Sequence, residues 1–195
     1  MIPFNHLGWF FNLFAASAYP EAVIEALCGT LAVLPENASL LDLGAGTGIM
    51  SRYARTCRSD LECIAADPAE GMLRYVPDGI EIVNAKAETL PFAESSFDAV
   101  VLGEALHHFD EPHRALAEIS RVIKEGGILF VYEFDPSTVI GGFICFAEKL
   151  LGEPGHFYAP EELKTLLASH GFAVSYRQHR WRYSLMGTFA APKSA

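Results

Sequence analysis

Apolar residues along this chain fall into two alternating rhythms. Short, mostly apolar runs occur at 40–43, 63–66, 80–83, 99–102 and 128–132, and such runs suit strands buried on both faces. Between them the apolar positions recur at helical spacing. Val23, Leu27, Leu31 and Leu34 form one stripe, which Pro35-Glu36-Asn37 breaks. Leu116, Ile119, Val122 and Ile123 form another, opened by Asp110-Glu111-Pro112 and predicted to close at Lys124 and Gly126-Gly127. Strand–helix alternation over this length implies right-handed crossovers and a parallel sheet, with ligands at the carboxyl ends of the strands. The final runs, 171–181 and 183–190, have no helix between them and predict an antiparallel hairpin.

The predicted architecture is therefore α/β: a Rossmann-like, doubly wound, mostly parallel seven-stranded sheet with an antiparallel C-terminal hairpin. A chain of 195 residues accommodates one sizeable core, so a single domain is expected. It divides into an N-terminal cap and helix (1–38), a ligand-binding core (39–135), a lid-like insertion (136–158), and a C-terminal helix and hairpin (159–195). The insertion predicts a helix from Val139, whose apolar face carries Val139, Ile140, Phe143, Ile144, Ala147, Leu150 and Leu151, with Glu148 and Lys149 off that stripe.

Charge narrows the partners. With 24 acids against 14 bases and a formal charge of −10, the chain lacks the basic field that nucleic acid requires, so no nucleic acid is expected. Cys28, Cys57, Cys63 and Cys145 have no C-x-x-C spacing and read as buried thiols of a reducing compartment, the cytoplasm. The aromatic stretch 7–18 is interrupted by Gly8 and Asn12 and follows no basic start, so it reads as a cap packed on the domain, with no transmembrane segment expected.

The strongest local signal is Asp42-Leu43-Gly44-Ala45-Gly46-Thr47-Gly48, a strand end running into alternate glycines and then a helix. Glycines let a ligand approach the backbone closely, but a dinucleotide fingerprint spaces them G-x-G-x-x-G, and Ile49 stands where its third glycine belongs. A dehydrogenase loses ground accordingly. Asp42 would repel a diphosphate and favour a cofactor carrying an ammonium and a sulfonium. Asp67, nineteen residues after Gly48, should end the second strand where a carboxylate can take both ribose hydroxyls; the alternative is that Asp67-Pro68 merely caps the next helix.

Several motifs occur in order: D-x-G-x-G-x-G at 42–48, Asp67-Pro68-Ala69-Glu70-Gly71-Met72-Leu73, Ala87-Glu88-Thr89-Leu90-Pro91-Phe92, Ser96-Phe97-Asp98-Ala99-Val100, Ala105-Leu106-His107-His108-Phe109, and 118–127. In these the chain resembles class I S-adenosylmethionine-dependent methyltransferases, in the branch of the ubiquinone and menaquinone biosynthetic enzymes. The resemblance implies S-adenosylmethionine as cofactor, with Gly44, Ala45, Gly46 and Gly48 against its methionine moiety and Asp67 on the ribose. It places Pro68 and Met72 beside the nucleoside, Ala87 and Glu88 at the adenine, and Gly103 at the methionine ammonium. Lys86 departs from the pattern, since an acid commonly stands there.

Methyl transfer from a sulfonium needs alignment and, for a poor nucleophile, a base. Glu104, His107 and His108 follow the fourth strand and are the candidate catalytic residues, although the histidine pair reads more readily as a turn that packs or hydrogen-bonds the loop. No metal is expected, because adjacent histidines do not readily chelate one ion and no acid recurs at ligand spacing. His156 and Tyr158 lie in a loop that could face an acceptor, and Arg180 and Arg182 are expected to pair with surplus carboxylates. The expected function is methyl transfer to a small hydrophobic or aromatic acceptor. The alternative is a non-catalytic S-adenosylmethionine-binding regulatory or accessory protein.

Overall fold

The computed structural model describes residues 19–150 and 155–191; the expected N-terminal cap at 1–18 lies outside them. Helix α1 (Glu21–Leu31) leads into β1 (Ser39–Leu43), α2 (Ile49–Cys57), β2 (Glu62–Asp67), the short α3 (Glu70–Leu73) and β3 (Glu81–Asn84). Then follow β4 (Phe97–Gly103), a 3-10 turn (Leu106–His108), α4 (Pro112–Val122), β5 (Ile123–Phe134), α5 (Val139–Leu150), α6 (Pro160–Ser169), β6 (Phe172–His179) and β7 (Arg182–Phe189). The strands form one seven-stranded sheet in the order β3-β2-β1-β4-β5-β7-β6. Strands β1 to β5 are parallel, and β7 pairs antiparallel with both β5 and β6. The chain reverses its direction of progress between β1 and β4, which creates a crevice at their carboxyl ends.

Strand side chains alternate between two cores, as the pleat dictates. Leu41, Leu43, Val100, Leu102, Leu129 and Val131 face Leu116 and Ile119 of α4 and Leu163 and Leu167 of α6. On the other side Leu40, Ala65, Ala99, Val101 and Phe130 meet Val23, Leu27 and Leu31 of α1 and Met50 and Ala54 of α2. All the central strands are thus covered on both faces, which is why their sequences show no polar alternation.

Three expectations are corrected. Helix α4 does not run to Gly126-Gly127: it ends at Val122, and Ile123 is already extended and paired with Phe97. The register then shifts to Ala99 against Ile128, so the intervening residues form a bulge in which Gly126 takes φ +76°. A Cβ on Gly127 would lie 2.7 Å from Ile123 Cγ1 and 2.8 Å from the Lys124 carbonyl oxygen, so the glycines serve the bulge rather than a helix stop.

The predicted face of α5 is also turned. Val139 is 91 % exposed, Ile140 54 %, Phe143 70 % and Leu150 77 %, while Gly141 and Cys145 point inward. The turn that starts the helix sets this rotation. Thr138 donates from its backbone N and its Oγ1 to the Asp135 carbonyl, and a Cβ on Gly141 would fall 2.0 Å from that same oxygen. Only a glycine fits against β5 there, and it fixes which side of α5 faces in.

Finally, Cys28 of α1 and Cys57 of α2 form a disulfide, with Cα atoms 5.0 Å apart, leaving Cys63 and Cys145 as buried thiols. The reading of four thiols fails for these two. The bridge closes a loop of 29 residues, which spans β1 and the glycine turn. Reduction should lower the unfolding free energy by about 2–4 kcal/mol in urea titrations. A C28S/C57S double variant should be insensitive to reductant.

Candidate functional site

Strand β1 delivers the chain into a turn of three residues with left-handed backbone: Gly44, Gly46 and Gly48 have φ of +68°, +53° and +74°. Their spacing on alternate residues therefore reflects alternate left-handed positions. Gly44 also meets the loop after β4, since a Cβ there would lie 2.5 Å from Ala105 Cβ. The Gly44 and Ala45 N–H groups donate to the Ala66 carbonyl at 2.8 and 3.1 Å. What these two residues offer a ligand is close approach, because both donors are already used.

Asp42 sits beneath this turn and is 1 % exposed. Its Oδ2 accepts from the backbone N (2.8 Å) and Oγ (2.7 Å) of Ser51, tying the first turn of α2 to β1. Its Oδ1 is buried with no hydrogen-bond partner among the described residues. Burial pushes the Asp42 carboxyl up to about 6, against the lowering effect of the two Ser51 hydrogen bonds, and the nearby Asp67 adds to the rise.

Asp67 ends β2, as expected, and does more than cap α3. Its Oδ2 accepts from Gly46 N at 2.8 Å and its Oδ1 from Ala69 N at 2.7 Å, so one carboxylate joins the glycine turn to the start of α3. Burial raises its pKa, while the Ala69 and Gly46 hydrogen bonds oppose the rise. Met72 is buried, its Cε 3.3 Å from where a Gly46 Cβ would be, whereas Pro68 is exposed. Ala87 is buried, and Glu88 accepts from Glu111 N at 3.2 Å. Lys86 forms an exposed ion pair with Asp110 at 3.1 Å.

The end of β4 carries a second polar group of residues. A Cβ on Gly103 would lie 2.5 Å from Tyr19 Oη and 2.6 Å from Met50 Cγ, so Gly103 leaves its space to these side chains. Glu104 has φ +53°, a left-handed backbone uncommon for a residue with a side chain, and its carboxylate pairs with Arg182. Burial pushes the Glu104 carboxyl up to about 7, Arg182 pulling it back. The Arg182 guanidinium lies 3.8 Å from the Trp181 ring centre and 4.9 Å from that of Phe134. His107 is 2 % exposed; its Nδ1 is 2.6 Å from Glu133 Oε2, and Glu133 Oε1 accepts from Leu106 N at 2.8 Å. His108 is exposed beside it, with ring centres 4.0 Å apart.

The methyltransferase-domain family matches residues 41–131, from β1 into β5, which includes the glycine turn, Asp67 and the loop after β4 but not Glu133 or Arg182. A malonyl-[acyl-carrier protein] O-methyltransferase of Methylococcus capsulatus is 37 % identical over 130 residues, 64 % of this chain and 47 % of that protein. A demethylmenaquinone methyltransferase of Clavibacter sepedonicus is 41 % identical over 106 residues, 51 % of this chain and 42 % of that protein. This chain thus spans less than half the length of either relative. A demethylmenaquinone methyltransferase of Thermus thermophilus is 32 % identical over 165 residues, 70 % of this chain and 75 % of that protein. The chain belongs to the class I S-adenosylmethionine-dependent methyltransferases, of the ubiquinone/menaquinone-biosynthesis type. The fold agrees: a Thermotoga maritima S-adenosylmethionine-dependent methyltransferase, described as a possible histamine N-methyltransferase, superposes with a TM-score of 0.75 at 20 % identity. The superposition covers 95 % of this chain and 97 % of that one.

For a methyltransferase of this family, the structure gathers Asp42, Gly44, Ala45, Gly46, Gly48, Asp67, Met72 and Gly103 at the crevice between β1, β2 and β4. Arg182 pairs with a surplus carboxylate, as expected, and that carboxylate is Glu104. Glu133, Glu148 and Ser51 were not singled out from sequence. Ser51 carries a recoverable signal, being nine residues after Asp42 on the first turn of a helix that lacks a side-chain cap.

The raised Asp42 carboxyl has a consequence for pH. Its folded value of about 6 exceeds an unfolded value near 3.9, so the protonated form is favoured by folding. The contribution is fully present below about pH 4 and is lost as pH rises through about 6. Asp42→Asn should flatten the pH dependence of urea stability between pH 4 and 7, relative to the parent protein.

Proposed function

We propose that the protein transfers a methyl group from S-adenosylmethionine to a small apolar or aromatic acceptor by direct displacement. The observation that carries this reading is the pair of buried carboxylates on neighbouring strand ends, Asp42 with one oxygen lacking a hydrogen bond among the described residues and Asp67 reaching the glycine turn. A buried acceptor oxygen beside a turn where backbone can be approached closely fits the cationic amino-acid portion of the donor. Asp67 uses one lone pair on each oxygen for a backbone N–H and keeps the others for ribose hydroxyls. The bound donor supplies an already activated methyl group on sulfonium sulfur. The chain's own residues then orient the acceptor and take up its proton.

Glu104 is our candidate for the proton acceptor. It lies at the carboxyl end of β4, one residue past Gly103, and a carboxyl pushed up to about 7 exchanges protons readily near neutrality. His107 is too enclosed to meet an acceptor directly, and His108 is the exposed member of the pair.

An apolar acceptor is supported by a shallow groove of about 300 Å³ where α5 leaves the sheet edge, lined by Thr138, Val139, Ile140, Arg180 and Trp181. Relatives named for demethylmenaquinone methylation favour a reduced quinone head group as the first acceptor to try. The acidic balance of the chain favours a small molecule over nucleic acid. Among the described residues no helix is long and apolar enough to cross a membrane.

Calorimetry should show one S-adenosylhomocysteine per chain, and Asp67→Ala should weaken it about tenfold or more in a protein that keeps its circular dichroism. Unchanged affinity would reduce Asp67 to a structural tie. With an acceptor identified from reduced quinones and malonyl thioesters, Ile140→Ser should raise the acceptor KM severalfold and leave S-adenosylhomocysteine affinity intact. A loss confined to cofactor binding would refute the groove as the acceptor site.

A further inference from the structure

The inward side of α5 carries a charged residue where an apolar one would ordinarily pack. Glu148 reaches back to the turn after β4, and its Oε2 lies 3.5 Å from His107 Nε2. The ligating atoms of His107, His108 and Glu148 all lie within 4.8 Å of one another. We infer that these three side chains form a site for a divalent first-row transition-metal ion, Zn²⁺ being the probe of choice, which joins α5 to the core. This site is independent of the methyl-donor reading above, and it revises the expectation of no metal, which rested on the poor chelation by adjacent histidines and on the absence of an acid at ligand spacing; the fold brings one nitrogen of each ring near the same carboxylate. Glu148 stands forty residues away in sequence and arrives by the fold.

Three observations carry the inference. First, His107 is only 2 % exposed, and its Nε2 is buried with no hydrogen-bond partner among the described residues. A charge-assisted hydrogen bond to a carboxylate would be about 2.7–2.9 Å. The 3.5 Å observed instead approximates the edge of a tetrahedron, about 3.3–3.4 Å for ligands 2.0–2.1 Å from zinc.

Second, the other ring nitrogen is already held in the way metal-binding imidazoles are held. Glu133 takes Nδ1 at 2.6 Å and is itself fixed by Leu106 N, so Nε2 is directed at Glu148. Phe157 stacks on the His107 ring at 4.8 Å and 21°, and Phe134 packs against it at 5.6 Å, which fixes the ring plane.

Third, the ligand set suits the ion and leaves it accessible. Two imidazoles and one carboxylate, with His108 on the solvent side, provide three protein ligands and room for water in a fourth position. His108 is exposed and closes the remaining distance by side-chain rotation.

The test uses untagged full-length protein, stripped with chelator and titrated with Zn²⁺ against a chromophoric competitor, with no methyl donor present. One equivalent per chain is expected, and Co²⁺ should give a visible ligand-field spectrum. His108→Ala and Glu148→Gln, both at partly exposed positions, should each weaken binding at least tenfold. His113→Ala should not, although His113 Nδ1 lies 3.2 Å from His170 Nε2 in an exposed pair that could bind zinc adventitiously. Stoichiometric binding lost in both site variants and retained in His113→Ala supports the site. Absent binding, binding indifferent to Glu148→Gln, or binding lost only in His113→Ala overturns it. Failure of methyl-donor binding would leave this result untouched.

Discussion

Asp67 divides its two carboxylate oxygens between the N–H groups of Gly46 and Ala69, and the ligand end of the sheet is arranged around that division. The glycine turn has three left-handed residues and little side-chain packing of its own, so it needs an external tie to hold one shape. The carboxylate supplies the tie from the next strand, while the Ala66 carbonyl beside it accepts from Gly44 and Ala45. Desolvation opposes keeping such a group ionised, and the two N–H donors offset that cost. The same two oxygens therefore fix both the shape of the turn and the start of α3.

Much of this was readable in sequence because the central strands are buried on both faces. Runs such as 99–102 have no competing interpretation once they alternate with amphipathic helices, and the hairpin was visible from two strand-like runs without a helix between them. The failures are of another kind. The end of α4 was misplaced because Gly126-Gly127 signals a helix stop and a β-bulge equally well, and only the register of β5 on β4 separates the two. Which side of α5 meets the sheet is not legible in the sequence, because helical periodicity says which residues share a side but not which side faces in. Gly141 against the Asp135 carbonyl decides that, by a contact no local pattern encodes. Likewise, the Cys28–Cys57 bridge depends on α1 lying beside α2, which the spacing of the cysteines does not reveal.

The candidate site divides along the same line. Its glycine turn and Asp67 are contiguous motifs with fixed offsets, and the fold brings them together as expected. The group after β4 is assembled from distant elements: Glu104 and His107 from one loop, Glu133 from β5, Glu148 from α5 and Arg182 from β7. Each residue alone resembles ordinary surface or core. Their proximity concentrates charge in a region where Phe134, Phe157 and Trp181 exclude water, so the ion pairs there interact more strongly than exposed ones.

The position of β7 bears on how the protein comes together. Because β7 lies between β5 and β6, residues 182–188 supply the outer hydrogen-bonding partners of β5 from Ile128 to Phe134. Until those residues are available, β5 presents an unpaired apolar edge from Ile128 to Phe134, long enough to recruit a foreign strand. During synthesis β1 to β4 emerge first and can pair among themselves, although Leu40 with Ala99 already spans 59 residues, while β5 waits for a partner some sixty residues downstream (Ile128 with Thr188). Assembly of this sheet is therefore staggered, and its period of greatest exposure to aggregation falls between the emergence of β5 and the arrival of the strand that covers it.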